Sequence, residues 1–237
     1  MRIAASLIVP LVAWSVACGG GGKGARPPVA TPTPKLEHAV KDLTDDQMAL
    51  LVLPLADYGP RYGFFELNAA SGLISLTQRA NQACSPSKEA AAMGKFGWTR
   101  GFAVFFTPPL DTGSDTLSIG SNIDVYSTDA KAQEKLVYDS ATVRDDARSA
   151  NGCYGFAVEG VDDLPITGIG EQVIAVRERF SVAGVRGSTS ILAFRRGPVV
   201  ASVTLYRLSA EDATAELIAL AKKIDAKLAP LLAAPLS

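Results

Sequence analysis

Residues 172–206 read QVIAVRERFSVAGVRGSTSILAFRRGPVVASVTLY and carry the clearest secondary-structure pattern in the chain. Three segments within this stretch, 172–182, 188–194 and 198–206, are rich in β-branched and aromatic residues, which favour strands. The last two segments meet at Arg195-Arg196-Gly197, where a glycine between β-branched flanks predicts a tight hairpin. The stretch therefore predicts neighbouring antiparallel strands.

A second β pattern lies upstream, between residues 99 and 126. Phe102, Val104 and Phe106 recur at every second position, as they do in a strand. After a loop that contains two prolines, residues 117–126 alternate in the same way. The pattern predicts a hairpin with a long loop, and a further strand is expected over residues 152–158.

Helices are predicted before, between and after these strands. Thr44 and Gln47 form a capping box, so a short helix is expected to begin there and to end at Pro54. The other expected helices are residues 73–83, a helix from Pro86 to Met93 with Ser85 as N-cap, residues 129–148, and an amphipathic helix that Ser209 opens and Pro230 stops, with Leu217, Leu220, Ala221, Ile224 and Leu228 on one stripe. This order predicts an α+β domain, in which helices pack mainly on one face of an antiparallel sheet and the C-terminal helix is amphipathic.

The N-terminus has the layout of an export signal. Arg2 precedes an apolar run, and small residues follow just before Cys18. The apolar run is shorter than the roughly 20 residues that a membrane-spanning helix needs. Ser15-Val16-Ala17-Cys18 resembles the lipobox of bacterial lipoproteins, in which the Cys is lipidated and becomes the mature N-terminus. An ordinary signal peptide that ends by chance at a Cys is the alternative.

This interpretation divides the chain into three parts. Residues 1–17 are the signal peptide, residues 18–35 are the lipidated Cys and a Gly/Pro-rich linker, and residues 36–237 are a single domain. The resemblance implies a bacterial envelope protein that is tethered to a membrane through its lipid and faces the periplasm or the exterior. A formal net charge of −1 does not favour nucleic acid as a partner.

Cysteine usage fits export. Of the three Cys residues, Cys18 is the expected lipid site, which leaves Cys84 and Cys153 as a pair in an oxidising compartment. We expect a disulfide between them. A redox-active or metal-binding pair is the alternative, but the pair has no C-x-x-C spacing and the one histidine, His38, lies at the edge of the linker. The sequence predicts no metal site and no cofactor.

One short motif points to an enzyme. The Asp-Thr-Gly triplet that begins at Asp111 resembles the motif of aspartic proteases, in which two carboxylates share a proton and activate water. A homodimer would have to supply the second Asp. Pro108 and Pro109 disfavour the buried strand that precedes the Asp in that family, so a hairpin loop is the favoured interpretation. A calcium loop built with Ser114 and Asp115 lacks the expected bidentate Glu.

Three other residues are candidates for binding. Trp98 and the aromatic residues near it could line an apolar ligand pocket, although aromatic residues between helices and a sheet more often form core. Arg177 and Arg179 alternate along one strand and share a face of it. Such a face is usually solvated, and if it is concave it would bind an anionic ligand.

Several segments carry a resemblance to known proteins: residues 97–102 (GWTRGF), residues 123–126 (IDVY) and residues 193–203 (AFRRGPVVASV). They resemble a widespread group of bacterial lipoproteins whose domains are similar to PsbP-like domains and to extracellular sensor domains of bacterial Ser/Thr kinases. The resemblance implies a non-catalytic binding or accessory module, with a small molecule or a protein as partner at the envelope. A homodimeric aspartic protease that uses Asp111 and a purely structural envelope lipoprotein are the alternatives.

Overall fold

An antiparallel sheet of eight strands forms the centre of the computed structural model, which describes residues 43–81, 85–110, 112–149, 157–209 and 211–233. The strand order is β1-β3-β4-β8-β7-β6-β5, and β2 also pairs with β3. The strands are β1 Glu66–Leu67, β2 Gly72–Ile74, β3 Trp98–Thr107, β4 Thr116–Tyr126, β5 Ala157–Asp163, β6 Gln172–Val182, β7 Val185–Arg196 and β8 Val199–Arg207. The predicted α+β class and antiparallel sheet are confirmed.

The described residues form five α-helices that pack on the sheet: α1 Asp45–Leu51, α2 Leu76–Asn81, α3 Pro86–Lys95, α4 Asp129–Ser149 and α5 Thr214–Ala233. Two short 3-10 helices, Leu55–Tyr58 and Pro60–Tyr62, follow α1. The capping box at Thr44 is present, with the Thr44 hydroxyl and the Gln47 side chain each accepting from the other residue's backbone. In the part of the chain that the structure describes, no helix combines the length and apolarity needed to cross a membrane.

The helices cover both faces of the sheet, whereas the sequence predicted them mainly on one face. On one face, which we call the α5 face, α1, the 3-10 helices and α5 enclose the larger core. On the other, the α4 face, α3 and α4 pack in a smaller apolar cluster. The reason lies in the central strands. In β7, Leu192 and Phe194 point to the α5 face, while Ile191 and Ala193 point to the α4 face, so both faces need cover.

A tight hairpin joins β7 and β8 as predicted, but Arg195 and Arg196 belong to β7, so the turn lies closer to β8 than expected. Arg196 lies opposite Val199, so Gly197 and Pro198 alone make the turn. Gly197 has φ 54°, a conformation that glycine adopts without strain. The tight turn places the whole length of β8 between β7 and β4 at the centre of the sheet.

Three helix boundaries differ most from the prediction. Leu73 and Ile74 belong to β2, where they pair with β3, so the helix predicted over residues 73–83 begins only at Leu76. The last helix begins at Thr214 instead of near Ser209, because Asp212 accepts from the Thr214 backbone N–H at 3.0 Å. Pro230 lies inside this helix and does not stop it. A proline in the last turns leaves only one carbonyl without its helical hydrogen bond.

Candidate functional site

Arg177 and Arg179 lie side by side on β6 and line one cavity. In the sheet, Arg177 is opposite Ser190 of β7 and Arg179 is opposite Ser188. Both arginines therefore project to the α5 face, beyond the apolar part that α5 covers. The cavity has a volume of about 240 Å³ and is lined by Glu159, Arg177, Arg179, Arg186, Gly187 and Ser188. The structure thus brings the two predicted arginines together with a third.

Arg179 is held in place by an acidic neighbour on β5. Its Nε lies 2.8 Å from Oδ2 of Asp162, and its Nη2 lies 3.3 Å from Oδ1. The Arg179 and Asp162 side chains are 49% and 42% exposed, so this bidentate ion pair orients Arg179 more than it stabilises the fold. Gly160 makes room for the arginine, because a Cβ at this position would lie 2.8 Å from the Arg179 Nη2.

Arg177 is less completely paired. Its nearest described carboxylate is that of Asp212, with Nη1 3.9 Å from Oδ1, and Asp212 is 67% exposed. Two hydrogen bonds from Thr214, together with the charge of Arg177, hold the pKa of Asp212 below its usual range. The Nε of Arg177 is buried and has no hydrogen-bond partner among the described residues. Because a buried N–H without a partner is costly, this atom favours an acceptor supplied from outside the chain.

Two charged residues of the cavity were not among the predicted candidates. Glu159 is an exposed residue at a β-bulge, where the pairing of β5 with β6 shifts between Val158 and Gly160. Arg186 is an exposed residue near the start of β7. Neither has an ion pair with any residue in the described ranges, so both charges are available to a ligand. A bulge redirects a side chain out of the regular alternation, which sequence periodicity does not reveal.

Trp98 lies away from this cavity, at the start of β3. Its indole Nε1 donates to Oδ1 of Asp124 at 2.7 Å, and its half-buried ring packs against the cluster that contains Phe96 and Tyr126. The other aromatic residues considered as a pocket lining are mostly core, since Tyr58, Tyr62, Phe65 and Phe96 are buried. A binding role for Trp98 stays a prediction.

A cluster of buried charges on the α4 face was not predicted from the sequence. It consists of Arg79, Glu89, Asp124, Lys135 and Asp139, and we call it the buried charge cluster. Lys135 Nζ lies 2.6 Å from Oδ1 of Asp139 and 3.9 Å from Oε1 of Glu89. Arg79 lies 3.6 Å from a carboxylate oxygen of Glu89 and 3.6 Å from one of Asp124.

Burial dominates the chemistry of this cluster. It raises the pKa of Asp139 to about 6, against the opposing effect of the Lys135 ammonium. Glu89 is fully buried, and neither carboxylate oxygen has a hydrogen-bond partner in the described part of the chain. The signal was hidden because Lys135 and Asp139, four positions apart on a helix, resemble an ordinary surface ion pair.

The remaining predicted site residues, Cys18, Cys84, Asp111 and Cys153, lie outside the described residues, so their roles stay predictions. The neighbours of Asp111 belong to an exposed loop between β3 and β4.

Two residues of the considered calcium loop make other contacts. Asp115 forms an ion pair with Arg61 at 3.1 Å, and the Ser114 hydroxyl donates to the carbonyl oxygen of Thr116 at 2.9 Å. Over the ranges that the structure describes, no group of three His, Cys, Asp or Glu residues is placed to hold a metal ion.

Comparison with known proteins shows a likeness in fold. The structure is similar to the extracellular domain of PknH from Mycobacterium tuberculosis, with a TM-score of 0.53 and 12% sequence identity, over 79% of this chain and 97% of that one. The likeness agrees with the predicted resemblance to extracellular kinase sensor domains, and at this identity it concerns the fold alone. No protein-family model matches the chain, and no curated protein matches it.

Proposed function

We propose that this protein is a lipid-anchored module of the bacterial envelope that binds a small anionic ligand, without transforming it, in the cavity of Arg177, Arg179 and Arg186. The observation that carries the proposal is the buried Nε of Arg177, which has no partner among the described residues although it belongs to a side chain that lines a cavity. A small movement of the Arg177 side chain would let a carboxylate or phosphate oxygen accept from this N–H and meet a second guanidinium in the same cavity.

The chemistry of the lining fits binding better than catalysis. Arginine side chains stay protonated, so they donate hydrogen bonds to an anion and do not act as bases. Ser188 donates its hydroxyl to the backbone carbonyl of Ser209 at 3.2 Å, which orients it as part of the wall. The volume of about 240 Å³ suits a small metabolite and is below the usual range for larger ligands.

Calorimetric titration of the full-length protein, solubilised in detergent, tests the binding site. The probes are inorganic phosphate and succinate, at low ionic strength. We expect both to bind, and we expect Arg177→Gln to weaken binding by about tenfold, as the loss of one charged hydrogen bond does. Lys222→Gln, which removes an exposed positive charge from α5, is the control and should leave the affinity unchanged. Equal affinities for all three proteins, or no binding of either probe, would overturn the proposal.

The anchor is tested separately with the full-length chain expressed in a bacterium. We expect the wild-type protein in the membrane fraction with an acylated Cys18 at its N-terminus, and the Cys18→Ser variant either unprocessed or released. Mass spectrometry of the N-terminal peptide distinguishes these states. An unacylated N-terminus within the linker of the wild-type protein would refute lipid anchoring and leave the ligand site untouched.

A further inference from the structure

The arginine cavity also contains a negative charge, and this charge restricts what the cavity will accept. Arg179 already has a carboxylate partner in Asp162. Arg177 faces Asp212 only at 3.9 Å. The two charged lining residues without an ion pair to any described residue are Arg186 and Glu159. The cavity therefore offers cationic groups for one end of a ligand and one carboxylate for another.

The local backbone explains why Glu159 lines the cavity. In regular pairing, Gly160 lies opposite Arg179 and Asp162 lies opposite Arg177, so these two residues of β5 share the face of the arginines. Val158 lies opposite Phe180, on the other face. The bulge inserts Glu159 between them, next to Gly160, and its side chain lines the same cavity as Arg177 and Arg179.

A simple anion would be attracted by the arginines and repelled by Glu159. A zwitterion with an ammonium group a few atoms from its acidic group avoids this conflict, because the ammonium pairs with Glu159 while the acidic group pairs with Arg177 and Arg186. Size supports this ligand class, since about 240 Å³ corresponds to roughly eight waters at about 30 Å³ each, enough for a small amino acid.

We infer that the ligand of this cavity is a small zwitterion of the amino-acid type, and that Glu159 is the residue that selects its ammonium group. This inference rests on the proposed anion-binding function and names the ligand class for the same site. Glu159 is exposed, so its replacement is not expected to disturb folding.

The test compares matched ligands that differ only in the amine: glycine with acetate, β-alanine with propionate, and 4-aminobutyrate with butyrate. We expect at least one zwitterion to bind the wild-type full-length protein more tightly than its amine-free partner, by up to about fivefold, the range that exposed ion pairs give. Glu159→Gln should abolish this preference, because it should weaken the binding of the zwitterion and strengthen the binding of the simple anion. Glu66→Gln, which removes an exposed carboxylate from β1, should preserve the preference.

The outcomes separate the two proposals. If phosphate and succinate bind but no zwitterion is preferred over its partner, anion binding stands and the role of Glu159 is wrong. That role is equally wrong if Glu159→Gln shifts the affinities of both members of a pair in one direction. If neither phosphate, succinate nor any of the carboxylates binds, the proposed function fails and this inference fails with it.

Discussion

The hydroxyl of Tyr62 donates a hydrogen bond of 2.7 Å to the carboxylate of Glu216, and so links the second 3-10 helix to the first turn of α5. Arg207 at the end of β8 donates to both of these groups, and its side chain is only 1% exposed. The three side chains therefore join the sheet, α5 and the segment after α1 at one buried point. This junction lies next to the arginine cavity, since Arg207 is opposite Ser188 in the sheet.

The first prediction concerns this junction. Tyr62→Phe removes the hydroxyl while keeping the ring, which packs edge-to-face on Phe65 with ring centroids 5.3 Å apart. We expect the free energy of unfolding in urea to fall by about 1–2 kcal/mol, because the hydroxyl bonds to a charged acceptor. In a Glu216→Gln background, the same substitution should lower the free energy of unfolding by clearly less. Equal costs in both backgrounds would mean that the Tyr62–Glu216 bond contributes nothing.

The sheet could be predicted from the sequence because its strands have a local signature. The alternation in β3, β4 and β6, the β-branched content of β7 and β8, and Gly197 at the turn all act over a few residues. The N-cap at Thr44 and the start of α3 at Pro86 are equally local. Arg177 and Arg179 could be predicted as a pair for the same reason, because residues two positions apart on a strand lie on the same face of the sheet.

Features that depend on distant contacts could not be predicted. Leu73 and Ile74 lie just before a segment that forms a helix, and only their pairing with β3 makes them part of a strand. The cover of both sheet faces follows from how β7 and β8 sit at the centre of the sheet. Glu159 needed the bulge in β5 to reach the arginines. The buried charge cluster draws residues from α2, α3, β4 and α4, between residues 79 and 139, without any motif.

The second prediction is a pH dependence from Asp139. Its pKa rises from 3.8 to about 6 on folding, mainly through burial. Between these values the folded protein binds a proton that the unfolded chain has released, so the stabilising contribution is complete below about 3.8 and is lost as the pH rises through about 6. At 1.36 kcal/mol per pKa unit, we expect a loss of at most about 3 kcal/mol, reduced because the side chain is 14% exposed.

Urea unfolding between pH 3.5 and 7.5 measures this effect. The free energy of unfolding of the wild type, minus that of Asp139→Asn, should fall as the pH rises from 3.5 to 7.5. The control variant is Asp46→Asn, at an exposed position in α1, and the corresponding difference should not fall. The negative charge of Glu89 contributes to the raised pKa of Asp139, so Glu89→Gln should lower that pKa in an NMR titration. An Asp139 pKa near 4 in the wild-type protein would contradict the prediction.

The third prediction decides between the loop and protease interpretations of Asp111. The residues on either side are exposed, with Leu110 91% accessible, and Gly113 has φ 65° as in a turn. We expect Asp111→Asn to change the free energy of unfolding by no more than about 0.5 kcal/mol, as at an ordinary surface position. Peptidase assays at acidic pH should show only the assay's background rate for the wild-type protein and for Asp111→Asn. Acid peptidase activity that requires a dimer and disappears in Asp111→Asn would establish the protease interpretation instead.

The last prediction is the disulfide between Cys84 and Cys153. Cys84 lies in the link between α2 and α3, and Cys153 lies in the link between α4 and β5. The helices beside these links belong to one face, since Ala92 of α3 packs in the same cluster as Ala132 and Leu136 of α4. A disulfide that closes the long loop from Cys84 to Cys153 would stabilise the protein by up to about 4 kcal/mol, because it restricts the unfolded chain.

A Cys18→Ser chain carries only these two cysteines, since the protein has three. Peptide mapping of this chain without reductant should recover Cys84 and Cys153 in one linked fragment, and reduction should lower the unfolding temperature. Replacing both residues by Ser should lower it equally and remove the effect of reductant, which separates the loss of the bond from other effects of the reductant. Free alkylation of both thiols in the native, exported protein would show that the pair is not bonded.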